Sequence, residues 1–278
     1  MSNTEHRNIG FIGVGNMAQA MIESWIQSGT VSAHQIFGAN RTPGKLKKVT
    51  EQFAITPCDT NEELIEKCEL VVLAVKPQDL VPALESISSS FGTHHVVMSL
   101  AAGVPIVQLK RLLPNVKQWV RVMPNTPVRI RQGVSGYFLA REAQHLKSLM
   151  QKLLEPMGAV IGVEDEDHFA SLSVACSSGV GFVYELMQYW QEWLEEHDFS
   201  SEQARQMTVK TFLGASLLAD QAPQIPVLDL QSRVTSKKGI TSAGLESMRE
   251  LEIERLLRYS FEKAAIRDRE LGEEQQGR

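Results

Sequence analysis

The fold of this chain is decided by a glycine-rich stretch near its start, Gly10-Phe11-Ile12-Gly13-Val14-Gly15-Asn16-Met17-Ala18. The sequence predicts an apolar strand at 8–12 and an amphipathic helix at 18–28. Gly13 permits a tight turn, Gly15 lets the backbone approach a pyrophosphate, and Ala18 lets the helix pack against the strand. Because the N-terminus of a helix attracts phosphate, we predict a dinucleotide site here. The alternative is an ordinary tight turn, in which small residues also occur.

The composition limits what kind of protein this is. The chain has 278 residues, of which 43% are hydrophobic, so it can bury a large core and is expected to form two domains. The net charge of -5 argues against nucleic acid as a partner. The cysteines Cys58, Cys68 and Cys176 are scattered without metal-binding spacing, so we expect reduced thiols, a cytoplasmic protein and no metal site. We expect neither a signal peptide nor a membrane-spanning segment.

Strands alternate with helices through the first half of the chain. Further strands are predicted at 35–39, near 55, and at 70–75, 96–100, 119–123, 133–139 and 159–163, with helices at 43–52, 61–67 and 144–154. This alternation predicts an α/β fold with a doubly wound sheet. Ligands of such sheets bind at the carboxyl ends of the strands, so the turns that follow the strands are candidate binding sites.

The second predicted strand is followed by Asn40, Arg41, Thr42 and Pro43, at the place where such folds hold the adenosine ribose. NAD-specific proteins place a carboxylate here to accept the 2′-hydroxyl. A guanidinium suits a 2′-phosphate instead, so Arg41 favours NADP over NAD. The alternative is a solvated arginine beside a helix that Thr42 and Pro43 cap, and the two interpretations are compatible.

Three later turns carry further candidates. Lys76 and Pro77 follow the strand at 70–75, at the edge where ligands bind. Ala101-Ala102-Gly103 follows the strand at 96–100, and its small residues either leave room for a nicotinamide ring or only tighten the turn. Pro124-Asn125-Thr126-Pro127 forms a stiff loop in which a cis peptide can occur.

The pattern changes after Glu164, where long helices take over. We predict helices at 169–176, 180–193, 201–218 and 240–269, with Ser200 and Gln203 as a capping box for the third. Apolar residues occupy more than one face of the last helix. A small helical unit of this kind usually buries such residues against another subunit, so we expect a homodimer with a shared helical core.

Hydroxyl side chains cluster where the last helix begins, in Val234-Thr235-Ser236-Lys237-Lys238-Gly239-Ile240-Thr241-Ser242-Ala243-Gly244-Leu245. The exposed N–H groups of that helix start, together with Ser236 and Thr241, can hold a small carboxylate. The alternative is a capped helix that binds nothing.

At these residues the chain resembles the pyrroline-5-carboxylate reductase family over nearly its whole length. The resemblance rests on the stretches 13–18, 74–78, 99–103 and 121–127 and on a signature motif formed by 234–236, 239–241 and 243–245. It implies a Rossmann-type NAD(P)-binding domain at 1–163 and an all-α dimerisation domain at 164–278, with dimers that often assemble into rings such as decamers. It also implies the last step of proline synthesis, in which NADPH or NADH reduces 1-pyrroline-5-carboxylate to L-proline.

The resemblance also assigns roles to particular residues. Ser236, Gly239, Ile240 and Thr241 bind the substrate, and Thr241 and Ser236 are the catalytic candidates, which hold the ring nitrogen and the carboxylate. The predicted cofactor residues are Gly13, Gly15, Asn16, Met17, Asn40, Arg41, Thr42, Asn61, Ala74, Val75, Lys76, Pro77, Ala101, Ala102 and Gly103.

The signature loop departs from the family at two residues. The family usually has Ser-Pro-Gly-Gly where this chain has Ser236-Lys237-Lys238-Gly239. A lysine stands where glycine is usual, so a turn with a positive φ is expected to change. We expect both lysines to face solvent rather than to attract an anionic ligand.

Two alternative functions are compatible with this domain order. A β-hydroxyacid dehydrogenase carries a catalytic lysine on the first long helix after the nucleotide domain, and no lysine occurs between Ser171 and Gln206. A catalytically silent NADP-binding regulatory protein is the second alternative, and Lys237 and Lys238 are its only support.

Overall fold

A computed structural model describes residues 7–274 of the chain. The prediction that there is no signal peptide rests on residues 1–7, of which the structure describes only residue 7. Contacts divide the chain into two compact units: unit 1 runs to Ser178 and resumes at Ala264, and unit 2 is Gly179–Lys263. The boundary predicted after residue 163 stays a prediction. The helix Glu166–Leu172, which follows this boundary, belongs to unit 1 because it packs on the sheet.

Unit 1 is built on one sheet. Its strands are β1 (Ile9–Ile12), β2 (Ile36–Ala39), β3 (Thr56–Pro57), β4 (Leu70–Leu73), β5 (Val96–Ser99), β6 (Gln118–Pro124), β7 (Gly133–Leu139) and β8 (Gly158–Val163). They form an 8-stranded sheet in the order β3-β2-β1-β4-β5-β6-β7-β8. Every strand predicted from the sequence is present, close to its predicted ends. The predicted doubly wound α/β fold is therefore confirmed.

The sheet reverses its strand order at β1, which lies between β2 and β4. The register places Ile12 beside both Ala39 and Leu73, and Leu73 beside Ser99. The carboxyl ends of β1, β2, β4 and β5 therefore form one edge. A reversal of this kind is where open α/β sheets bind dinucleotides.

The far side of the sheet is mixed. Strand β7 runs antiparallel to β6, and β8 runs parallel to β7. The parallel strands β1, β4 and β5 are buried along their whole length, which explains why their sequences are apolar up to the buried Ser99 at the end of β5.

Helices connect the strands of unit 1. They are α1 (Asn16–Gln27), α2 (Pro43–Phe53), α3 (Asn61–Lys67), α4 (Pro77–Glu85), α5 (Ile106–Leu112), α6 (Lys147–Leu154) and α7 (Glu166–Leu172), with α4 and α5 additional to the predicted helices. Trp25 of α1 fixes this helix in the core. Its Nε1 donates to the Leu153 carbonyl oxygen (2.6 Å), and its ring lies 5.6 Å from that of Phe11.

Unit 2 is helical. It contains α8 (Gly179–Glu195), α9 (Ser201–Asp220), α10 (Val227–Arg233), α11 (Ile240–Glu250) and the first part of α12 (Ile253–Glu274). The prediction of a single helix at 240–269 is wrong, because the helix is interrupted at Glu252, whose φ is 51°. The predicted capping box of Ser200 and Gln203 at the start of α9 is confirmed.

One helical run is longer than either of the two helices predicted within it. The run Glu166–Glu195 joins α7, a π-helical turn at Ser173–Ser178 and α8. By length and composition alone it could cross a membrane, so the expectation that no segment is long enough is wrong. Only 22% of the most apolar 18-residue part of this run is buried. Trp190 and Trp193 of this run are exposed, and so are Leu213, Leu217 and Leu218 of α9.

Candidate active site

The turn after β1 has the geometry that a pyrophosphate needs. Gly13 has a φ of 92°, and a Cβ at this residue would lie 3.0 Å from the Ala74 carbonyl oxygen. Gly15 is the N-cap of α1, no side chain caps this helix, and no acidic residue stands in its first turn. The first N–H groups of α1 are therefore available to an anion.

Asn40 ties this turn to the predicted ribose turn. The Val14 N–H donates to Oδ1 of Asn40 (3.2 Å), and Nδ2 of Asn40 donates to the Thr42 carbonyl oxygen (3.1 Å). The Gly13 N–H donates to the Ala39 carbonyl oxygen (2.9 Å). Asn40 thus holds the backbone of both turns in place, a role that its sequence neighbours did not indicate.

The ribose turn presents the Arg41 side chain to solvent, where it forms a surface ion pair with Asp79 of α4. Pro43 is at the start of α2, as predicted. Thr42 is the N-cap residue of that helix, but its side chain makes no capping hydrogen bond, so the predicted capping by Thr42 is wrong.

The remaining cofactor candidates lie along the same edge of the sheet. Ala74 and Val75 follow β4, Lys76 and Pro77 begin α4, and Asn61 begins α3 after β3. Ala101, Ala102 and Gly103 follow β5, and Ala101 is buried. The structure thus brings all the predicted cofactor residues to one edge, and their contact with a cofactor stays a prediction.

A buried arginine outside the predicted site residues supports the loop after β5. The side chain of Arg121 in β6 is 4% exposed, and its Nη1 pairs with Oε2 of Glu166. Its Nη2 donates to the Ala101 carbonyl oxygen (3.3 Å), and Oε1 of Glu166 accepts the Ile106 N–H (2.8 Å). The guanidinium carbon lies 4.2 Å from the ring centre of Phe169. The two charged residues therefore hold both ends of the loop 101–106.

The end of α12 packs against this same loop. Gly103 has a φ of 70°, and a Cβ there would collide with the Asp268 carbonyl oxygen. A Cβ at Gly272 would collide with the Gly103 carbonyl oxygen, so both residues have to be glycine. Burial raises the pKa of the Asp268 carboxyl group, and Arg121 opposes this shift.

One signal in the sequence points to Arg121. It is a charged residue inside the apolar run 119–123, and an arginine that is buried requires carboxylate or carbonyl partners. Glu166 and Asp268 carry no comparable signal, because acidic residues are ordinary on helix surfaces and the fold alone brings these two to Arg121.

The hydroxyl-rich loop of unit 2 makes a tight turn. The Gly239 N–H donates to the Ser236 carbonyl oxygen (3.0 Å), and a Cβ at Gly239 would collide with Oγ of Ser236. Lys238 has a φ of 58°. The expectation that a lysine here would change a turn with a positive φ is therefore wrong: the turn keeps a positive φ and the lysine adopts it.

Helix α11 begins beside this turn without a cap. Gly239 is the N-cap residue, and no side chain hydrogen-bonds the start of the helix. Ile240 is 96% exposed, and Ser236 and Thr241 are also exposed. The structure contradicts the alternative in which a side chain caps this helix. Free N–H groups at a helix start are suited to a carboxylate.

The loop Pro124–Pro127 has a structural role. No cis peptide occurs between residues 7 and 274, so the cis bond considered for this loop is not found. The side chain of Asn125 accepts the Val134 N–H (2.9 Å) and donates to the Cys176 carbonyl oxygen (3.2 Å). Across the same part of the chain no group of three or more His, Cys, Asp or Glu residues is placed to hold a metal ion.

Two family models match the chain. The model described as NADP oxidoreductase, coenzyme F420-dependent, matches residues 8–103, which contain β1 to β5 and the turns of the cofactor edge. The model described as pyrroline-5-carboxylate reductase dimerisation matches residues 166–271, which contain the hydroxyl-rich loop.

Relatives that match nearly the whole chain are also pyrroline-5-carboxylate reductases. The pyrroline-5-carboxylate reductase of Pseudomonas aeruginosa is 31% identical, over 96% of this chain and 97% of its own. That of Pasteurella multocida is 30% identical, over 95% and 98%. The solved structure of a pyrroline-5-carboxylate reductase from Coxiella burnetii is 30% identical and has a TM-score of 0.87, over 95% of this chain and 98% of that one. A Plasmodium falciparum pyrroline carboxylate reductase with NADP bound, 21% identical over 97% and 100%, shares the fold with a TM-score of 0.86.

Proposed function

The chain belongs to the pyrroline-5-carboxylate reductase family, and from that premise we propose that it reduces 1-pyrroline-5-carboxylate to L-proline with NADPH as hydride donor. It is an NAD(P)H-dependent oxidoreductase of proline biosynthesis. The observation that carries the substrate assignment is the uncapped start of α11, next to Ser236 and Thr241 in the signature loop.

The residues of unit 1 fit a dinucleotide. The open turn at Gly13 and Gly15 and the uncapped start of α1 suit a pyrophosphate. Arg41 offers a guanidinium to a 2′-phosphate, which favours NADPH over NADH. We assign the nicotinamide ring to the edge beside the small residues 101–103.

The start of α11 suits the substrate carboxylate. Three donors at the exposed start of the helix hydrogen-bond the carboxylate oxygens. They are the N–H groups of Ile240 and Thr241 and the hydroxyl of Ser236. The Thr241 hydroxyl hydrogen-bonds the ring nitrogen, either as donor to the imine or as acceptor from its protonated form. Gly239 keeps the turn compact enough to carry the Ser236 hydroxyl.

The reaction needs mainly correct placement from the protein. When bound, the reduced nicotinamide supplies a hydride for the carbon of the C=N bond. That carbon gains the hydride, the nitrogen gains one proton, and the double bond becomes a single bond. Thr241 orients the nitrogen, and orientation of this kind contributes on the order of several kcal/mol to the lowering of a barrier. Water delivers the proton, because the loop carries no strong side-chain acid.

We place the apolar side chains of unit 2 in a homodimer interface, with dimers assembled into a decamer. An exposed apolar surface of this kind is typical of a subunit interface. The same interface, rather than lipid, would cover the apolar run Glu166–Glu195. The free thiols of Cys58, Cys68 and Cys176 support a reducing compartment, the cytoplasm.

The decisive experiment measures turnover with NADPH and NADH on the five-membered imine and on its six-membered homologue, and turnover of a β-hydroxyacid with the oxidised cofactors. We expect the highest kcat/KM with NADPH and 1-pyrroline-5-carboxylate. Tight cofactor binding without turnover would favour the silent regulatory protein, and turnover of a β-hydroxyacid would favour the dehydrogenase.

The role of Thr241 is tested separately. We expect Thr241→Ala to lower kcat/KM for the imine by about tenfold or more, since one oriented hydrogen bond to a charged group is lost. Thr241→Ser keeps the hydroxyl and is the matched control. Unchanged turnover and unchanged imine KM in Thr241→Ala would rule out the assigned role.

A further inference from the structure

We propose that Arg121 and Glu166 are positioning residues, which hold the loop 101–106 in the shape that places the nicotinamide for hydride transfer. The inference rests on the proposed function, because it takes this loop to border the nicotinamide. Neither residue belongs to the predicted site, and each acts through the backbone of the loop.

The strand order shows which half of the cofactor this loop meets. Arg41 follows β2, on one side of the reversal at β1, and marks the adenosine half. An extended dinucleotide then crosses β1 towards β4 and β5, which lie on the other side. Because Ser99 is in register with Leu73, the loop after β5 begins at the same edge. It is therefore on the nicotinamide side of the site.

The N–H and the carbonyl oxygen of Ala101 both form hydrogen bonds with side chains. Its N–H donates to Oγ of the buried Ser99 (3.3 Å), and its carbonyl oxygen accepts from Nη2 of Arg121 (3.3 Å). Arg121 at the same time pairs with Glu166 through Nη1. A planar guanidinium can serve two partners in fixed directions, whereas a lysine ammonium offers no such fixed plane.

Glu166 fixes the other end of the loop, at Ile106. One carboxylate oxygen pairs with Arg121, and the other accepts the Ile106 N–H. Phe169 packs against the guanidinium, and only 4% of the Arg121 side chain is exposed. The guanidinium is shielded from water, whereas the Glu166 side chain is 33% exposed, so the pair is only partly screened. Together with the hydrogen bonds to the Ala101 carbonyl oxygen and from the Ile106 N–H, it resists displacement of the loop.

An ion pair with one buried member can also serve stability alone, and the two roles predict different measurements. A structural role lowers the free energy of unfolding and leaves the kinetics of the folded enzyme unchanged. A positioning role slows hydride transfer while NADPH still binds, because we assign the phosphates to the start of α1 and to Arg41. These follow β1 and β2, which lie two and three strands away from β5.

The experiment uses the full-length enzyme and the variants Arg121→Lys, Arg121→Met and Glu166→Gln. For each, we would measure kcat, both KM values, the Kd of NADPH by fluorescence, and the isotope effect with NADPH deuterated at the transferred position. Glu142→Gln removes a surface partner of Lys110 in α5 and is the control for loss of a nearby charge. Leu149→Ala on the buried face of α6 is the control for loss of stability alone.

We expect Arg121→Met and Glu166→Gln to lower kcat by about 10- to 100-fold, as a small misplacement of reacting atoms does. The isotope effect should increase, the Kd of NADPH should stay within about threefold, and Arg121→Lys should be intermediate. Both controls should keep the wild-type kinetics. Should Arg121→Met not fold, Arg121→Lys and Glu166→Gln give the same comparison.

Two results would overturn the inference. In the first, the variants lose stability but keep the wild-type kcat and isotope effect, which makes the pair structural. In the second, the KM and Kd of NADPH rise with kcat unchanged, which makes the pair a binding determinant. If the wild-type enzyme itself turns over no imine, the proposed function fails, and that failure is recognised before any variant is compared.

Discussion

Nη1 of Arg41 lies 3.4 Å from Oδ1 of Asp79, so the guanidinium that we assign to the 2′-phosphate already has a carboxylate partner. The two side chains are 87% and 39% exposed. Exposed pairs of this kind contribute at most about 1 kcal/mol. We therefore expect a 2′-phosphate to replace Asp79 as the partner of Arg41, and the carboxylate to weaken NADPH binding only modestly.

Removal of the guanidinium should affect NADPH selectively. We expect Arg41→Ala to raise the KM of NADPH about tenfold or more, since a hydrogen bond to a charged group contributes about 1.5–3 kcal/mol. The KM of NADH should not change, because NADH has no 2′-phosphate. Equal effects on both cofactors, in steady-state assays at low salt, would contradict the assignment.

Removal of the competing carboxylate should have the opposite effect. We expect Asp79→Asn to lower the KM of NADPH about two- to fivefold, within the range of an exposed ion pair. The same change made in the Arg41→Ala variant is the control and should have no effect. A higher KM in Asp79→Asn would mean that Asp79 orients Arg41 for the phosphate instead of competing with it.

Lys238 should be replaceable by glycine with a gain in stability. Its φ of 58° is unfavourable for a residue with a side chain, by about 1–2 kcal/mol. Part of this gain is offset by the greater freedom of glycine in the unfolded chain, so we expect Lys238→Gly to stabilise by about 0.5–1 kcal/mol. Lys237→Gly is the matched control and should destabilise slightly. Thermal or urea denaturation measures both, and a less stable Lys238→Gly would refute the prediction.

His95 should make stability depend on pH. It is buried, its Nδ1 accepts the Gly92 N–H (2.8 Å), and its Nε2 lies 3.2 Å from the Ile65 carbonyl oxygen. Burial, with the neighbouring His94, lowers the pKa of His95 in the folded protein. The unfolded chain therefore binds a proton that the folded chain does not, and stability should fall as the pH drops below about 6.5.

The measurement is urea unfolding between pH 7.5 and 5.5. His95→Gln should reduce the loss of stability on acidification, whereas the exposed His34→Gln should retain it. The comparison of variants removes the contribution of carboxylates that titrate in every protein. An equal loss in all three proteins would exclude His95 as the cause.

The exposed apolar side chains of unit 2 should hold the subunits together. Leu217 is 43% exposed on α9, and we expect Leu217→Glu to convert the assembly into smaller species, because a charge would be buried at the interface. Val107 of α5 is 60% exposed, and Val107→Glu is the control outside unit 2. Sedimentation or light scattering measures both, and an unchanged mass in Leu217→Glu would place the interface elsewhere.

The sequence predicted those features that depend on neighbouring residues. The turn at Gly13 and Gly15 needs only a strand before it and a helix after it, and the ends of the strands then follow from apolar runs. The pairing of Arg121 with Glu166 could not be predicted, because the two residues are 45 positions apart and meet only through the fold. The break at Glu252 was missed because no glycine or proline marks it, although its φ is 51°.

The contact between Gly103 and Gly272 means that unit 1 is not a continuous piece of chain. An excised fragment that ends at Ser178 would expose the backbone of the β5 loop, which α12 otherwise covers. The same contact constrains chimaeras with related enzymes. A hybrid that exchanges its carboxyl-terminal half has to bring a partner for Gly103 with it, since any side chain at either glycine would force the two backbones apart.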